Sequence, residues 1–267
     1  MGAIMDIIAR AMGWILRSLY DATLNYGLAI ILFTVFIKLL LIPLSLKQQR
    51  TMKKTQEIQP VLLKLQEKYK DNQQKLAEEM QKIYQDKKVN PFSGCLLLLI
   101  QIPIIYAMFF AIAQPVKFMY PEIRTAEVDQ AIEKYANMGT YKELYYIVNE
   151  RKDLIKTDFL GLDLGQVPSI ANISMWATWI IPILSGIATF LSSYISMKQT
   201  KSADASNEQA EAMQRNMMIM MPLLITYISF KVPLGMGLYW FVNTAITILL
   251  QTWMMTKLNA ESKVIDK

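Results

Sequence analysis

Residues 27–46 read GLAIILFTVFIKLLLIPLSL, a run in which Lys38 is the only charged side chain. A helix of about 20 apolar residues is long enough to span the hydrocarbon core of a bilayer. Four further windows have the same character, at residues 95–114, 173–197, 213–230 and 235–256. Nearly all the charged residues fall between the windows. This alternation predicts an all-α polytopic membrane protein with five transmembrane helices.

The composition excludes several kinds of active site. The 267 residues include no His and a single Cys, Cys95, so imidazole or thiolate metal clusters and His-based nucleophile systems are ruled out. No Asp or Glu falls within a spanning window. The chain also has no Gly-rich phosphate loop. We therefore expect no catalytic site, no metal, no cofactor, no use of ATP and no enzymatic activity.

The distribution of charge predicts the orientation in the membrane. Residues 47–90 carry 11 Lys and Arg against 6 acidic residues, whereas residues 115–171 carry 7 against 9. Because short, positively charged segments stay in the cytoplasm, the first is predicted inside and the second outside. Alternation then places the N-terminus outside and the C-terminus in the cytoplasm. The predicted organisation is an interfacial helix at 1–20, transmembrane helices at 21–46, 91–114, 172–197, 213–230 and 235–256, a cytoplasmic hairpin at 47–90, an extracytoplasmic loop at 115–171, a cytoplasmic loop at 198–212, an outer turn at 231–234 and a cytoplasmic tail at 257–267.

The first 20 residues predict an amphipathic helix. One helical face carries Ile4, Ile8, Ile15 and Leu19, and the charged side chains lie elsewhere. Such a helix lies in the membrane interface with its apolar face toward the acyl chains, here on the outer surface. The alternative is an uncleaved leader with no separate role.

Residues 47–90 predict a helical hairpin with arms at about 47–69 and 74–88. Asp71 is placed to N-cap the second arm. The apolar positions are sparse and supply a narrow seam between the two helices. The outward faces are rich in Lys and Gln. They are either simply solvated or in contact with acidic partners such as anionic lipid, ribosomal RNA or a targeting factor.

Lys38 is the most informative residue of the chain. It lies nine residues inside the Lys47 edge of the first window, a depth of about 13 Å at 1.5 Å per residue. A charge at this depth costs several kcal/mol unless it faces water or a partner. Since the windows contain no acidic residue, we expect Lys38 to face a hydrated cavity.

Polar side chains recur at helical spacing in four of the windows. They are Thr34 and Ser45 beside Lys38, Gln101 in the second window, Thr178, Ser185, Thr189, Ser192 and Ser196 in the third, and Tyr239, Trp240, Asn243, Thr247 and Gln251 in the fifth. Each hydroxyl alone is typical of a contact between helices. Together with one cation they favour a shared polar groove that hydrates an acidic guest segment. The 18 methionines are either lipid-facing filler or a surface that accepts varied apolar partners.

The order of these elements resembles the YidC/Oxa/Alb family of membrane insertases, in its bacterial form without a large extracytoplasmic domain. The resemblance covers residues from about 20 to 257. It is carried by Ile42–Pro43–Leu44 before the basic hairpin, by Val89–Asn90–Pro91–Phe92–Ser93–Gly94–Cys95 with Gln101–Ile102–Pro103, and by Pro233–Leu234–Gly235–Met236–Gly237–Leu238–Tyr239–Trp240.

The resemblance implies five helices around a hydrophilic groove in a bacterial plasma membrane. It implies insertion and folding of membrane proteins, alone or with the Sec translocon. The implied partners are newly made membrane proteins, the lipid bilayer, and the ribosome or signal recognition particle, with no sequence-specific nucleic acid. Lys38 matches the groove cation of the family, which is usually Arg. Gln101 matches its second-span glutamine, and Tyr239 with Trp240 its aromatic pair.

The alternative function is a small-solute transporter or channel, because polar stripes and a buried cation also occur in such proteins. Against it, the spans contain no inverted repeat and no paired acidic residue for ion coupling.

Overall fold

The computed structural model describes residues 3–87, 93–169, 173–200 and 208–265. This part of the chain is almost entirely helical. The helices are α1 (Ala3–Thr23), α2 (Tyr26–Lys68), α3 (Gln73–Asp86), α4 (Ser93–Ala113), α5 (Pro115–Phe118), α6 (Ala126–Glu133), α7 (Lys142–Glu150), α8 (Ile180–Thr200), α9 (Glu208–Ser229) and α10 (Leu234–Ile265). Short 3₁₀ helices occupy Pro121–Ile123, Ala136–Tyr141 and Ile173–Trp179. The strands β1 (Asp158–Phe159) and β2 (Leu162–Asp163) form an antiparallel pair.

Three segments of the described chain are long and apolar enough to cross a membrane, namely Tyr26–Thr55, Met175–Met197 and Leu234–Thr256. Two shorter apolar helical segments are Gln101–Ala113 and Met218–Ser229. Large apolar side chains such as Leu40, Leu223 and Leu249 point outward from the helices, as lipid-facing side chains do. A mostly helical membrane protein is therefore confirmed, and five complete spans stay a prediction.

The first predicted span and the first predicted hairpin arm form one continuous helix. Leu24, with a φ of 51°, reverses the chain after α1. The Asn25 side chain then accepts a hydrogen bond from the Leu28 N–H at 2.9 Å and caps α2. From there α2 runs for 43 residues, about 65 Å at 1.5 Å per residue, with Pro43 and Pro60 inside it.

The main core lies where α2 and α10 begin. Its fully buried side chains include Leu16 of α1, Phe33 of α2, Ile112 of α4, Ile147 of α7 and Leu234 of α10. An added Cβ on Gly13 would lie 2.3 Å from the Phe118 carbonyl oxygen, so this glycine allows α1 to pack closely on α5. The first helix is thus an integral part of the fold.

The face of α1 that packs against the rest of the protein differs from the apolar face that was predicted to meet the acyl chains. Ala9, Leu16 and Tyr20 are buried, whereas Ile4 is 74% exposed and Ile7 is 67% exposed. Trp14 is exposed on the same outer side. Of the predicted lipid-facing set, Ile4 is exposed, whereas Ile8, Ile15 and Leu19 are half-buried. The location of this helix in the membrane interface stays a prediction.

A loop segment caps the start of α10. Leu160 and Gly161 both have positive φ and make the two-residue turn between β1 and β2. Just beyond it, the Gln166 and Leu164 carbonyls each accept a hydrogen bond at 2.8 Å, from the Leu234 and Gly235 N–H groups respectively. The first N–H groups of a helix have no partner within it, so this loop fixes where α10 begins.

The hairpin has its own small core. Ile58 and Leu62 of α2 are buried there, with Met80, Ile83 and Tyr84 of α3 packed against them. This core is separate from the main one. Its few apolar side chains hold the two arms of the hairpin together.

The N-cap of the second arm is Asn72 rather than Asp71. The Asn72 side chain accepts from the Lys75 N–H at 3.0 Å, and α3 begins at Gln73. Both residue types are good caps, so the sequence alone did not fix the register. Lys88 of the predicted second arm, residues 89–92 of the predicted motif, residues 201–207 of the predicted loop at 198–212, and residues 266–267 lie outside the described residues.

Candidate functional site

The structure joins α2 and α10 through Lys38. Its ammonium nitrogen donates a hydrogen bond to Thr247 Oγ1 at 2.8 Å. The Thr247 hydroxyl donates in turn to the Asn243 carbonyl, 2.7 Å away in the same helix. Because a hydroxyl has a single proton to donate, Thr247 meets Lys38 with a lone pair. The cation is therefore held by a neutral acceptor.

Lys38 lines a partly open cavity of about 40 Å³ between α2, α4 and α10. The polar lining residues are Lys38, Ser45, Gln48, Gln49, Gln101, Thr247 and Gln251. The apolar ones are Leu41, Leu250 and Met254. This volume is enough to hold water, which needs a polar site of at least 10 to 15 Å³.

The described lining carries one positive charge and no carboxylate. An ammonium group has three N–H donors, and the Thr247 hydroxyl accepts from one of them. A half-buried cation without a neighbouring anion is costly unless water or a guest solvates it. The cavity is accordingly a site that attracts hydrogen-bond acceptors and negative charge.

Gln101 connects α4 to the same region. Its amide nitrogen donates to the Tyr239 hydroxyl at 3.3 Å. Tyr239 itself is 2% exposed and lies behind the cavity wall. Trp240 is half-buried and is not part of the lining. The two aromatic residues therefore differ in position. Tyr239 accepts the hydrogen bond from Gln101, whereas Trp240 lies on another side of α10.

The predicted hydroxyls of α8 and the preceding turn lie away from the cavity. Ser185 Oγ is 2.9 Å from the Ile181 carbonyl and 3.1 Å from the Gly237 carbonyl of α10. Thr178 and Thr189 donate to carbonyls three and four residues earlier in the chain. Ser185 therefore works as a contact between helices, as single hydroxyls in membrane helices commonly do.

The remaining predicted residues are placed as follows. Thr34 is 1% exposed and donates to the Ile30 carbonyl within α2. Ser192 is half-buried on α8, outside the lining. Asn243 contributes through its backbone carbonyl, which orients Thr247. Of the predicted polar residues, the structure brings Lys38, Ser45, Gln101, Thr247 and Gln251 together in the cavity.

Gln48 and Gln49 line the cavity, although their position after Lys47 predicts that they belong to the cytoplasmic hairpin. A signal for Gln48 was present, because Lys38, Leu41, Ser45 and Gln48 are spaced by three, four and three residues and so share one helical face. This signal was missed because the first helix was predicted to end at Leu46, whereas α2 continues unbroken to Lys68.

These features define the class of the protein, a helical membrane protein with a cation-bearing polar cavity between its first long helix and its last. The sequence model of the family described as 60Kd inner membrane protein matches residues 18–262. The chain belongs to this family, the YidC/Oxa family, which confirms the resemblance.

Curated relatives and a solved structure agree with this assignment. The chain is 33% identical over 245 residues to the protein named membrane protein insertase YidC of Francisella philomiragia subsp. philomiragia, and 32% identical to that of Francisella tularensis subsp. novicida. Each alignment covers 91% of this chain and 35% of the relative. A crystal structure titled as an active YidC insertase with its first transmembrane domain resolved matches 94% of this chain and 47% of its own, with a TM-score of 0.57 and 25% identity. The chain thus spans about a third of the length of these curated relatives.

Proposed function

We propose that this protein is a membrane protein insertase and chaperone that inserts and folds integral membrane proteins, alone or with the Sec translocon. The observation that carries the proposal is the position of Lys38, a cation in a polar cavity whose described lining has no carboxylate. Its curated relatives bear the name of this activity.

The cavity lowers the barrier to moving a hydrophilic segment into the membrane. Water around Lys38 solvates such a segment part-way across, and the positive charge attracts an acidic one. When the following apolar segment reaches lipid, burial of its surface contributes about 25 cal/mol per Å². That free energy drives insertion without ATP.

The proposed arrangement is five transmembrane helices around a groove, in a bacterial plasma membrane, with the N-terminus outside. Lys38, Ser45, Gln101 and Thr247 keep the groove wet, and Tyr239 supports its wall by accepting a hydrogen bond from Gln101. The apolar side chains that α1 leaves exposed, Ile4, Ile7 and Trp14, support its location in the outer membrane interface.

The proposed partners are newly made membrane proteins and the lipid bilayer. The hairpin of α2 and α3 faces the cytoplasm, because of the excess of Lys and Arg between residues 47 and 90. Its basic outer faces suit contact with the ribosome, the signal recognition particle or anionic lipid.

The experiment that tests this function is insertion of a purified single-spanning client into proteoliposomes that contain the protein, with protein-free liposomes as the control. Flux of ions and small solutes is measured on the same vesicles. Insertion above the control without flux is the expected result. Flux without insertion, by folded protein, would replace the insertase with the transporter alternative.

A further inference from the structure

The turn between β1 and β2 presents an apolar side chain that the rest of the fold does not cover. Leu160 is 87% exposed, more than any other large apolar side chain of the described residues. Its φ of 52° lies in the left-handed region. A two-residue hairpin turn usually has Asn, Asp or Gly at such a position, because other side chains are strained there. Leu160 therefore adds backbone strain to the fold and contributes almost no packing within it.

The exposure of the turn is fixed by hydrogen bonds around it. Phe159 pairs with Leu162 in the antiparallel ladder. Just beyond the ladder, the Leu164 N–H donates to the Thr157 carbonyl at 2.9 Å. The Thr157 hydroxyl donates to the Asp163 carboxylate at 2.6 Å. The tip of the turn thus projects from an ordered base.

Two contacts place this turn at the level where membrane spans begin. An added Cβ on Gly27 would lie 2.2 Å from Phe159 Cγ, so the ring lies directly against the first turn of α2. On the other side of the turn, the loop accepts hydrogen bonds from the first N–H groups of α10. Candidate spans begin at these two places, at Tyr26 and at Leu234. Leu160 follows Phe159 directly, with their Cα atoms about 3.8 Å apart, and so lies near the same level.

A second strained and exposed leucine lies at this end of α2. Leu24 is 70% exposed and has a φ of 51°. It and Leu160 are the two non-glycine residues with positive φ in the described part of the chain. Single exposed leucines are ordinary, but these two combine exposure with strain beside the beginning of a span. Apolar surroundings outside the protein offset the strain, because burial of apolar surface is favourable. At this level of a membrane protein, the acyl chains of the bilayer supply them.

We propose that the turn between β1 and β2 inserts Leu160 into the bilayer, at the boundary between headgroups and acyl chains, with Leu24 as a second anchor at the start of α2. In the orientation proposed above, this is the outer leaflet. Asp158 and Asp163 flank the apolar tip, and their charges keep the base of the turn at the level of the headgroups. The inference depends on the membrane location of the chain and is independent of its activity.

The test measures the depth of the turn in liposomes that contain the purified full chain. Cys95→Ser removes the single native cysteine, and one new cysteine then carries a fluorescent label. The label is placed by Leu160→Cys, by Lys152→Cys at an exposed loop residue, or by Leu249→Cys on the outward face of α10. Lipids with a nitroxide at known positions along the acyl chain quench the label according to its depth. Lys152 is the control for water, and Leu249 is the control for lipid and for correct folding.

The Leu160 label is expected about 5 to 10 Å into the boundary between headgroups and acyl chains, the depth at which interfacial apolar side chains lie. The Lys152 label is expected to remain unquenched. A Leu160 label quenched no more than the Lys152 label would overturn the inference. The depth should also be the same at several ratios of protein to lipid. Burial of the label only at high protein density would show that a second copy of the chain covers the turn, and would overturn the lipid assignment.

A second measurement retains the native leucine, since the label is itself apolar. The label is placed at the exposed Asp158 by Asp158→Cys, with and without Leu160→Asn. Asn suits a positive φ, so this variant keeps the turn and removes only the apolar side chain. Leu160→Asn is expected to abolish most of the quenching at position 158 by a nitroxide at the shallow end of the acyl chain. Unchanged quenching would mean that Leu160 does not anchor the turn.

Discussion

Lys38 Nζ lies 2.8 Å from Thr247 Oγ1 and links two helices whose residues are 209 positions apart in the chain. The Thr247 proton is committed to the Asn243 carbonyl. The hydrogen bond therefore fixes the position of the cation without neutralising it. A carboxylate in place of Thr247 would hold Lys38 more tightly and cancel the charge that a client is proposed to meet.

Replacing Thr247 with valine tests this positioning. Thr247→Val keeps the shape of the side chain and removes the acceptor, so the Lys38 ammonium loses its fixed place on the α10 wall. We expect insertion of a small client to fall by roughly threefold to tenfold, the loss expected for one net hydrogen bond. Thr252→Val is the matched control, since Thr252 is exposed and donates only to the Ile248 carbonyl of its own helix. Equal rates for the two variants would mean that Thr247 does not position the cation.

The contact between α8 and α9 depends on a glycine. An added Cβ at Gly186 would lie 2.0 Å from Thr226 Oγ1. Gly186→Ala should therefore lower the free energy of unfolding by about 1 to 3 kcal/mol, the usual cost of overpacking. Adding Thr226→Ala removes the obstructing atom and should restore most of the loss. Thermal unfolding in detergent measures the stability of Gly186→Ala and of the double variant. If Gly186→Ala were as stable as wild type, α8 and α9 would accommodate the extra methyl group without cost.

The sequence singled out Lys38, which lines the cavity, because the rule for intramembrane charge is strong; the hydrated groove itself stays a prediction. Lys38 stands alone in a long apolar run, and only a hydrated site makes that tolerable. Periodicity also placed the hydroxyls of the third window on one face. It did not reveal which neighbour covers that face, and Ser185 contacts Gly237 of α10 instead of the cavity. Such information lies in the packing of helices distant in sequence.

The residues at which helices begin and end were harder to predict than the helices themselves. The change from apolar to basic residues at Lys47 indicated an end to the first helix, but a helix continues through a change of solvent when its own hydrogen bonds persist. As a result the cavity residues Gln48 and Gln49 were missed. Asp71 and Asn72 are equally suited to capping, and it is the Asn72 side chain that accepts the hydrogen bond from the Lys75 N–H.

Removal of the hairpin separates its role from that of the spans. Because Ile58 and Leu62 belong to a small core apart from the main one, replacing residues 56–86 with a flexible Gly/Ser linker should leave the rest of the fold assembled. We expect insertion to be impaired while thermal unfolding of the remaining helices is little changed. Failure of the shortened protein to assemble would make the hairpin a structural element.

Glu143 is expected to give the loop region between α4 and α8 a pH-dependent stability. Burial raises the pKa of this carboxyl, although the Lys117 N–H at 2.9 Å and Arg124 at 3.5 Å oppose the shift. As the pH rises, the unfolded chain therefore ionises first, and wild type should lose stability relative to Glu143→Gln. Melting temperatures of both proteins between about pH 4 and pH 7 test this linkage. A difference that moves in favour of wild type would mean that Arg124 outweighs burial.

The proposed mechanism requires the charge of Lys38, which attracts an acidic client segment into the cavity before apolar burial completes insertion. Its most direct test is the insertion of a small client with an acidic translocated segment into proteoliposomes containing wild type, Lys38→Arg or Lys38→Ala. Wild type and Lys38→Arg are expected to be active, and Lys38→Ala is expected to lose most of the activity while remaining folded. Full activity of Lys38→Ala, or loss of activity in Lys38→Arg alone, would contradict it.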